Sequence, residues 1–153
     1  AGRADIATGT TRRLLIIGVI YMGLLGLPLW SLGGPIARLY TDDPEVVLLA
    51  ALVFKVMAIY QVFDGAGIIL RLTLGGAGDT RIPTFIMAAS SGIIMLPGGW
   101  WLSQAMEPGI VGGWIAAFVH MTVLAAVLLW RFERGPWRTM RLGNTPASPA
   151  VTA

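Results

Sequence analysis

The chain has 153 residues, 56% of them hydrophobic and only 12% charged, with a formal net charge of +3 and no cysteine. A soluble domain carries about 25% charged residues, so this composition, with a mean hydropathy of +0.74, places the chain among membrane proteins. Disulfides, thiolate metal sites and cysteine nucleophiles are excluded, and no basic stripe interleaves with aromatic residues as a nucleic-acid interface would require.

Residues 1–13 are small and polar, do not begin with methionine, and read as the remnant of a cytoplasmic loop, which implies a longer parent chain. Four apolar segments follow, at about 14–39, 44–74, 82–102 and 110–130. A membrane-spanning helix needs about 20 apolar residues. The sequence therefore predicts an all-α membrane protein whose four transmembrane helices occupy residues 14–142.

The breaks between segments carry helix-end chemistry. Asp43, Pro44 and Glu45 form a helix start: an N-cap, a proline suited to the first helical position, and an acid beside the positive dipole end. Gly75, Gly76 and Gly78 predict the end of the second helix. Asp79 or Thr80 is expected to cap the third, with Pro83 in its first turn. Glu107-Pro108-Gly109 predicts a tight turn into the fourth. Residues 143–153 read as a disordered cytoplasmic tail.

If the four helices alternate, Arg3, Arg12, Arg13, Arg81, Arg131, Arg134, Arg138 and Arg141 fall on one side. Arg38 lies on the other with Asp42, Asp43, Glu45 and Glu107. The excess of positive charge predicts that both termini are cytoplasmic. Trp30, Trp100, Trp101 and Trp130 stand near helix ends, where indole rings anchor at the lipid headgroups, so membrane lipids are expected neighbours.

The second segment is the most informative. Its roughly 30 residues would extend about 45 Å, against a hydrocarbon core of about 30 Å. It is expected to tilt, to bend or to project from the membrane, with Gly65 and Gly67 as the weak point for a bend. Next to them stands Asp64, an acid whose insertion at a membrane centre costs about 2.5–3.5 kcal/mol. At about 100° per residue, Tyr60, Asp64, Gly67 and Arg71 share one stripe, Gln61 borders it, and Lys55 projects from nearly the opposite side. The Tyr60 hydroxyl and the Asp64 carboxylate, beside a loosened glycine turn, make a candidate site for a hard cation, with Asp64 as the Na⁺ ligand. Gln61, Gly65, Gly67, Arg71 and Lys55 are candidates for cavity lining or gating. The plainer alternatives are that Asp64 is a polar link between helices, that Arg71 snorkels to the headgroups, and that His120 is an interhelical hydrogen-bonding residue.

Several stretches together carry a family resemblance: Leu39-Tyr-Thr-Asp-Asp-Pro-Glu-Val46, Phe63-Asp-Gly65, Leu74-Gly-Gly-Ala-Gly-Asp-Thr80 followed by Pro83, Leu96-Pro97, Gly109-Ile-Val-Gly-Gly-Trp114, and Arg131-Phe132 with Gly135-Pro-Trp137. In this order they resemble the multidrug and toxic compound extrusion (MATE) family. The resemblance implies a twelve-helix transporter in two six-helix lobes, of which this chain would supply the last four helices. It further implies a secondary antiporter in the bacterial inner membrane, exporting drug-like amphiphilic cations in exchange for Na⁺ or H⁺. No cofactor is implied beyond that coupling ion.

By the same resemblance, Asp64 is the ion-binding acid and Tyr60 its neighbour, and the missing N-terminal helices supply a partner glutamate. The family's usual arginine before Gly-Ala-Gly-Asp-Thr is Gly75 here, and Arg71 is a candidate to replace its charge. The family's usual glutamine is here Gly67. The alternatives are a lipid-linked saccharide flippase of the same superfamily and a small non-transporting membrane interaction protein. No nucleophile–base pair, metal cluster or phosphate loop points to an enzyme.

Overall fold

The computed structural model describes residues 2–107, 109–135 and 137, with only the backbone for residues 2–4. The elements are α1 (Gly2–Ala37), α2 (Pro44–Gly76), α3 (Arg81–Ser90), a π-wound segment (Ser91–Met95), α4 (Leu96–Ala105) and α5 (Gly109–Arg134). The segment from Arg81 to Ala105 is one continuous rod, so the described residues include four helices long and apolar enough to cross a membrane. Only 6% of the apolar window of α1 is buried within this chain. A surface that apolar and that exposed requires lipid or further helices around it.

Residues 2–13 were expected as a loop and are instead the first turns of α1. Tertiary packing overrides the weak helix propensity of Gly9, Thr10 and Thr11. Thr11 is buried, donates to the Ala7 carbonyl at 2.8 Å, and its hydroxyl meets that of Thr73 on α2 at 3.5 Å. The arginine after it, Arg12, makes a two-pronged pair with Glu133 of α5.

α1 and α2 pack antiparallel through small residues. A Cβ added at Gly33 would meet Ala51, one at Gly26 would lie 2.7 Å from the Ala58 carbonyl, and one at Gly65 would lie 2.8 Å from Met22. This is how membrane helices associate: lipid is as apolar as leucine, so close backbone approach supplies the attraction. Gly65 is therefore a packing residue. The loosened turn expected at Gly65 and Gly67 is not seen: α2 is unbroken helix to Gly76. A glycine costs a helix only about 1 kcal/mol, which the contact with α1 offsets.

The ends of α2 follow the sequence. Asp43 accepts from Glu45 N at 2.9 Å and from Val46 N at 3.4 Å. At the other end Gly78 has φ 89°, the Asp79 amide donates to the Leu74 carbonyl at 2.9 Å, and the Gly78 amide donates to Gly75 at 3.0 Å. This is a Schellman stop, and it needs glycine at its left-handed position. α3 starts differently from expectation. Thr80 holds the cap position without a side-chain bond, and Asp79 faces α5 instead.

The third membrane rod holds the irregularity that α2 lacks. Leu96 N–H donates to the Ser91 carbonyl, five residues back. Pro97 explains the widened turn: it has no N–H for the Ile93 carbonyl, and its ring would collide with that oxygen in a regular helix. The core lies at the end of the bundle where α2 and α5 finish. It comprises Leu70, Leu74, Leu124, Leu128, Phe132 and Trp137, with Ala7 and Leu15 of α1 and Ile86 and Met87 of α3 packed on it. Arg138, Arg141 and the tail at 143–153 lie outside the described residues.

Candidate functional site: the charged stripe of α2

Two faces of α2 are taken by neighbours. Ala58, Gln61 and Gly65 meet α1; Gln61 Nε2 donates to the Met22 carbonyl at 2.9 Å. Tyr60 and Phe63 meet α5 edge-to-face, Tyr60 on Trp114 with centroids 6.0 Å apart and Phe63 on Phe118 at 5.6 Å. At about 100° per residue Asp64 falls in the seam between these two faces, part of neither contact.

Asp64 is half-buried. Among the described residues it has no hydrogen bond and no ion pair, and no direct hydrogen bond joins it to Tyr60. The tyrosine lines a hollow of about 510 Å³ with Met95, Ser103, Trp114 and Ala117, and Asp64 stands outside it. Lys55 is exposed, on the far side of α2 from Asp64, beside a second hollow of about 510 Å³ that includes Glu45 and Leu48.

Arg71 corrects one expectation. Its Nε donates to the Gly67 carbonyl at 3.4 Å, and its Nη1 lies 2.9 Å from Met87 Sδ on α3. The side chain leans toward the N-terminal end of α2, as helical side chains do, and so points away from Gly75. It therefore does not replace a charge at that position. Gly67 leaves open space: a Cβ there would meet nothing within 4 Å.

Among the described residues no three His, Cys, Asp or Glu side chains converge. This chain offers a cation one carboxylate, with a phenol one turn away. Both are hard oxygen donors of the kind Na⁺ prefers, but they are fewer than a closed site needs.

The MatE family model matches residues 1–101, which include α1, α2 and the whole charged stripe. The chain belongs to the MatE family. The multidrug resistance protein MdtK of Cronobacter sakazakii (strain ATCC BAA-894) is 35% identical over 115 residues, covering 69% of this chain and 25% of MdtK. The chain thus spans a quarter of the length of that curated relative. With its four apolar helices, it is a multi-pass membrane protein.

Two polar clusters of this MatE chain have partners that its sequence did not identify. Arg131 Nε donates to Asp79 Oδ2 at 2.6 Å, with the carboxylate 2% exposed. In sequence the arginine reads as one more basic residue of the cytoplasmic side and the aspartate as a cap. The only clue was redundancy, since Asp79 and Thr80 cannot both cap α3. The second cluster is His120, buried on α5, whose Nε2 lies 3.0 Å from Ser90 Oγ and 3.3 Å from Ser91 Oγ. The histidine was expected to bond between helices. Its partners could not be named in advance, because they sit where Pro97 rewinds the opposing rod.

Proposed function

We propose that this chain is the C-terminal part of a MatE secondary antiporter, one that exports drug-like amphiphilic cations across a bacterial inner membrane in exchange for Na⁺ or H⁺. The observation that carries this reading is Asp64, a carboxylate within a membrane helix, with no hydrogen bond or ion pair among the described residues. Such a group is expensive to keep, and a coupling cation offsets that cost. Family membership and the similarity to a multidrug resistance protein support drug export.

The mechanism is alternating access. A cation at Asp64 neutralises the seam between α1 and α5, and the packing that holds the ion best becomes populated. Ion and drug compete only through their unequal affinities for the two packings. The remaining ligands come from helices outside this chain. Both termini lie in the cytoplasm, where the basic residues at this end of the bundle agree with the charge rule. Transport of this kind makes and breaks no covalent bond in the cargo, so no catalytic group is required.

The test is Asp64→Asn in the full-length transporter, reconstituted in vesicles. Cation-driven drug efflux should be lost while insertion and thermal stability are kept. Efflux that keeps its full dependence on Na⁺ and on the pH gradient would remove Asp64 from the coupling site.

A further inference from the structure

We propose that Arg71 is a tethered cation that competes with the coupling ion for Asp64, with Met87 as its parking place. The proposal rests on the reading of Asp64 as the coupling site. A guanidinium carries several N–H donors and is always charged. Here it is half-buried and served by a thioether sulfur, a weak acceptor, and by a helix carbonyl at 3.4 Å, longer than the usual hydrogen bond of about 3.0 Å. The two ion pairs among the described residues are Arg12–Glu133 and Arg131–Asp79, and Arg71 takes part in neither.

Among the described residues Asp64 likewise takes part in no ion pair, and it lies on the same stripe of the same helix. At 1.5 Å of rise per residue the two Cα atoms are separated by about 10.5 Å along the axis. Between them stands Gly67, whose missing side chain leaves an open lane. Arg71 already leans along that lane toward Asp64.

With Arg71 parked on Met87, a cation at Asp64 still feels a like charge about 10 Å away, and at an effective dielectric constant of about 20 this weakens its binding on the order of tenfold. Once released from the Met87 sulfur, the guanidinium extends toward Asp64 and displaces the ion. Met87 belongs to α3, so any movement of α3 relative to α2 sets whether Arg71 is parked or engaged. The internal cation thus keeps the site from holding its ion too tightly to release it.

The experiment uses full-length transporter in proteoliposomes and reads the half-saturating Na⁺ concentration of drug efflux, then the pH midpoint with protons as the only coupling ion. Arg71→Met should lower the half-saturating Na⁺ concentration about tenfold, with the proton midpoint moving to higher pH. Arg71→Lys should return toward wild type, because it restores the charge. Met87→Leu, which removes the acceptor and keeps the volume, should shift both readouts the opposite way. A general packing defect would not produce opposite signs in the two variants. If Arg71→Met does not assemble, the sign of the Met87→Leu shift decides. Unchanged cation dependence in both variants, with coupling still lost in Asp64→Asn, would overturn the tether and leave the ion site standing. Full coupling in Asp64→Asn would overturn the ion site itself.

Discussion

Breaking the Asp79–Arg131 pair should cost different amounts depending on which partner is removed. The carboxylate is 2% exposed and the guanidinium 15%, with Nε and Oδ2 at 2.6 Å. Arg131→Met leaves a carboxylate sealed between the α2 stop and α5, and a stranded buried charge costs about 3–5 kcal/mol. Asp79→Asn keeps an amide oxygen for Arg131 Nε and leaves the charge on the more accessible partner. The expected loss there is about 1.5–3 kcal/mol, the range for a hydrogen bond to a charged group. Asp79→Leu combined with Arg131→Met removes both charges and should lie within about 1–2 kcal/mol of wild type, since apolar replacement of a buried pair is often near neutral. Thermal unfolding of the detergent-solubilised protein ranks the three variants. Equal losses in the two single variants, or a double variant as unstable as Arg131→Met, would refute the reasoning, because burial of the carboxylate would then not control the cost.

Gly26→Val should destabilise the α1–α2 pair by about 1–3 kcal/mol through overpacking, because the first added carbon already lies 2.7 Å from the Ala58 carbonyl. Gly18→Ala is the control: its carbon meets only the flexible side chain of Ile69, and the same melting assay should place it well above Gly26→Val. His120→Ala should cost about 0.5–1.5 kcal/mol, the range for a lost hydrogen bond, since Ser90 Oγ keeps the Met87 carbonyl and Ser91 is only part-buried. Hydrogen exchange of the amides at 91–96 should accelerate in that variant, and unchanged exchange would show that the histidine does not hold the π-wound turn.

The candidate site was half legible. Asp64 could be found because an acid inside an apolar run is a cost visible in one dimension. Helical periodicity also placed Tyr60, Gly67 and Arg71 on its stripe and Lys55 opposite. Which neighbour each residue would meet was not legible. Gln61 borders the stripe by angle, yet its amide is committed to the Met22 carbonyl of α1. Gly65, read as a hinge, is the floor of a helix contact. Arg71 could have turned to either end of α2, and the Met87 sulfur on α3 lies toward one of them.

Composition, the lengths of the apolar runs and the chemistry of the breaks by themselves determined four membrane-crossing helices, the Asp43 cap and the glycine stop near residue 78. These depend on local backbone needs and on the mismatch between apolar side chains and water, which a chain carries wherever it packs. Only the tertiary structure decided that residues 2–13 continue α1, that α2 stays helical through its glycines, that the winding defect falls at Ser91–Met95, and that Asp79 pairs with Arg131. In each case a weak local preference, on the order of 1 kcal/mol, was outweighed by packing between segments far apart in sequence.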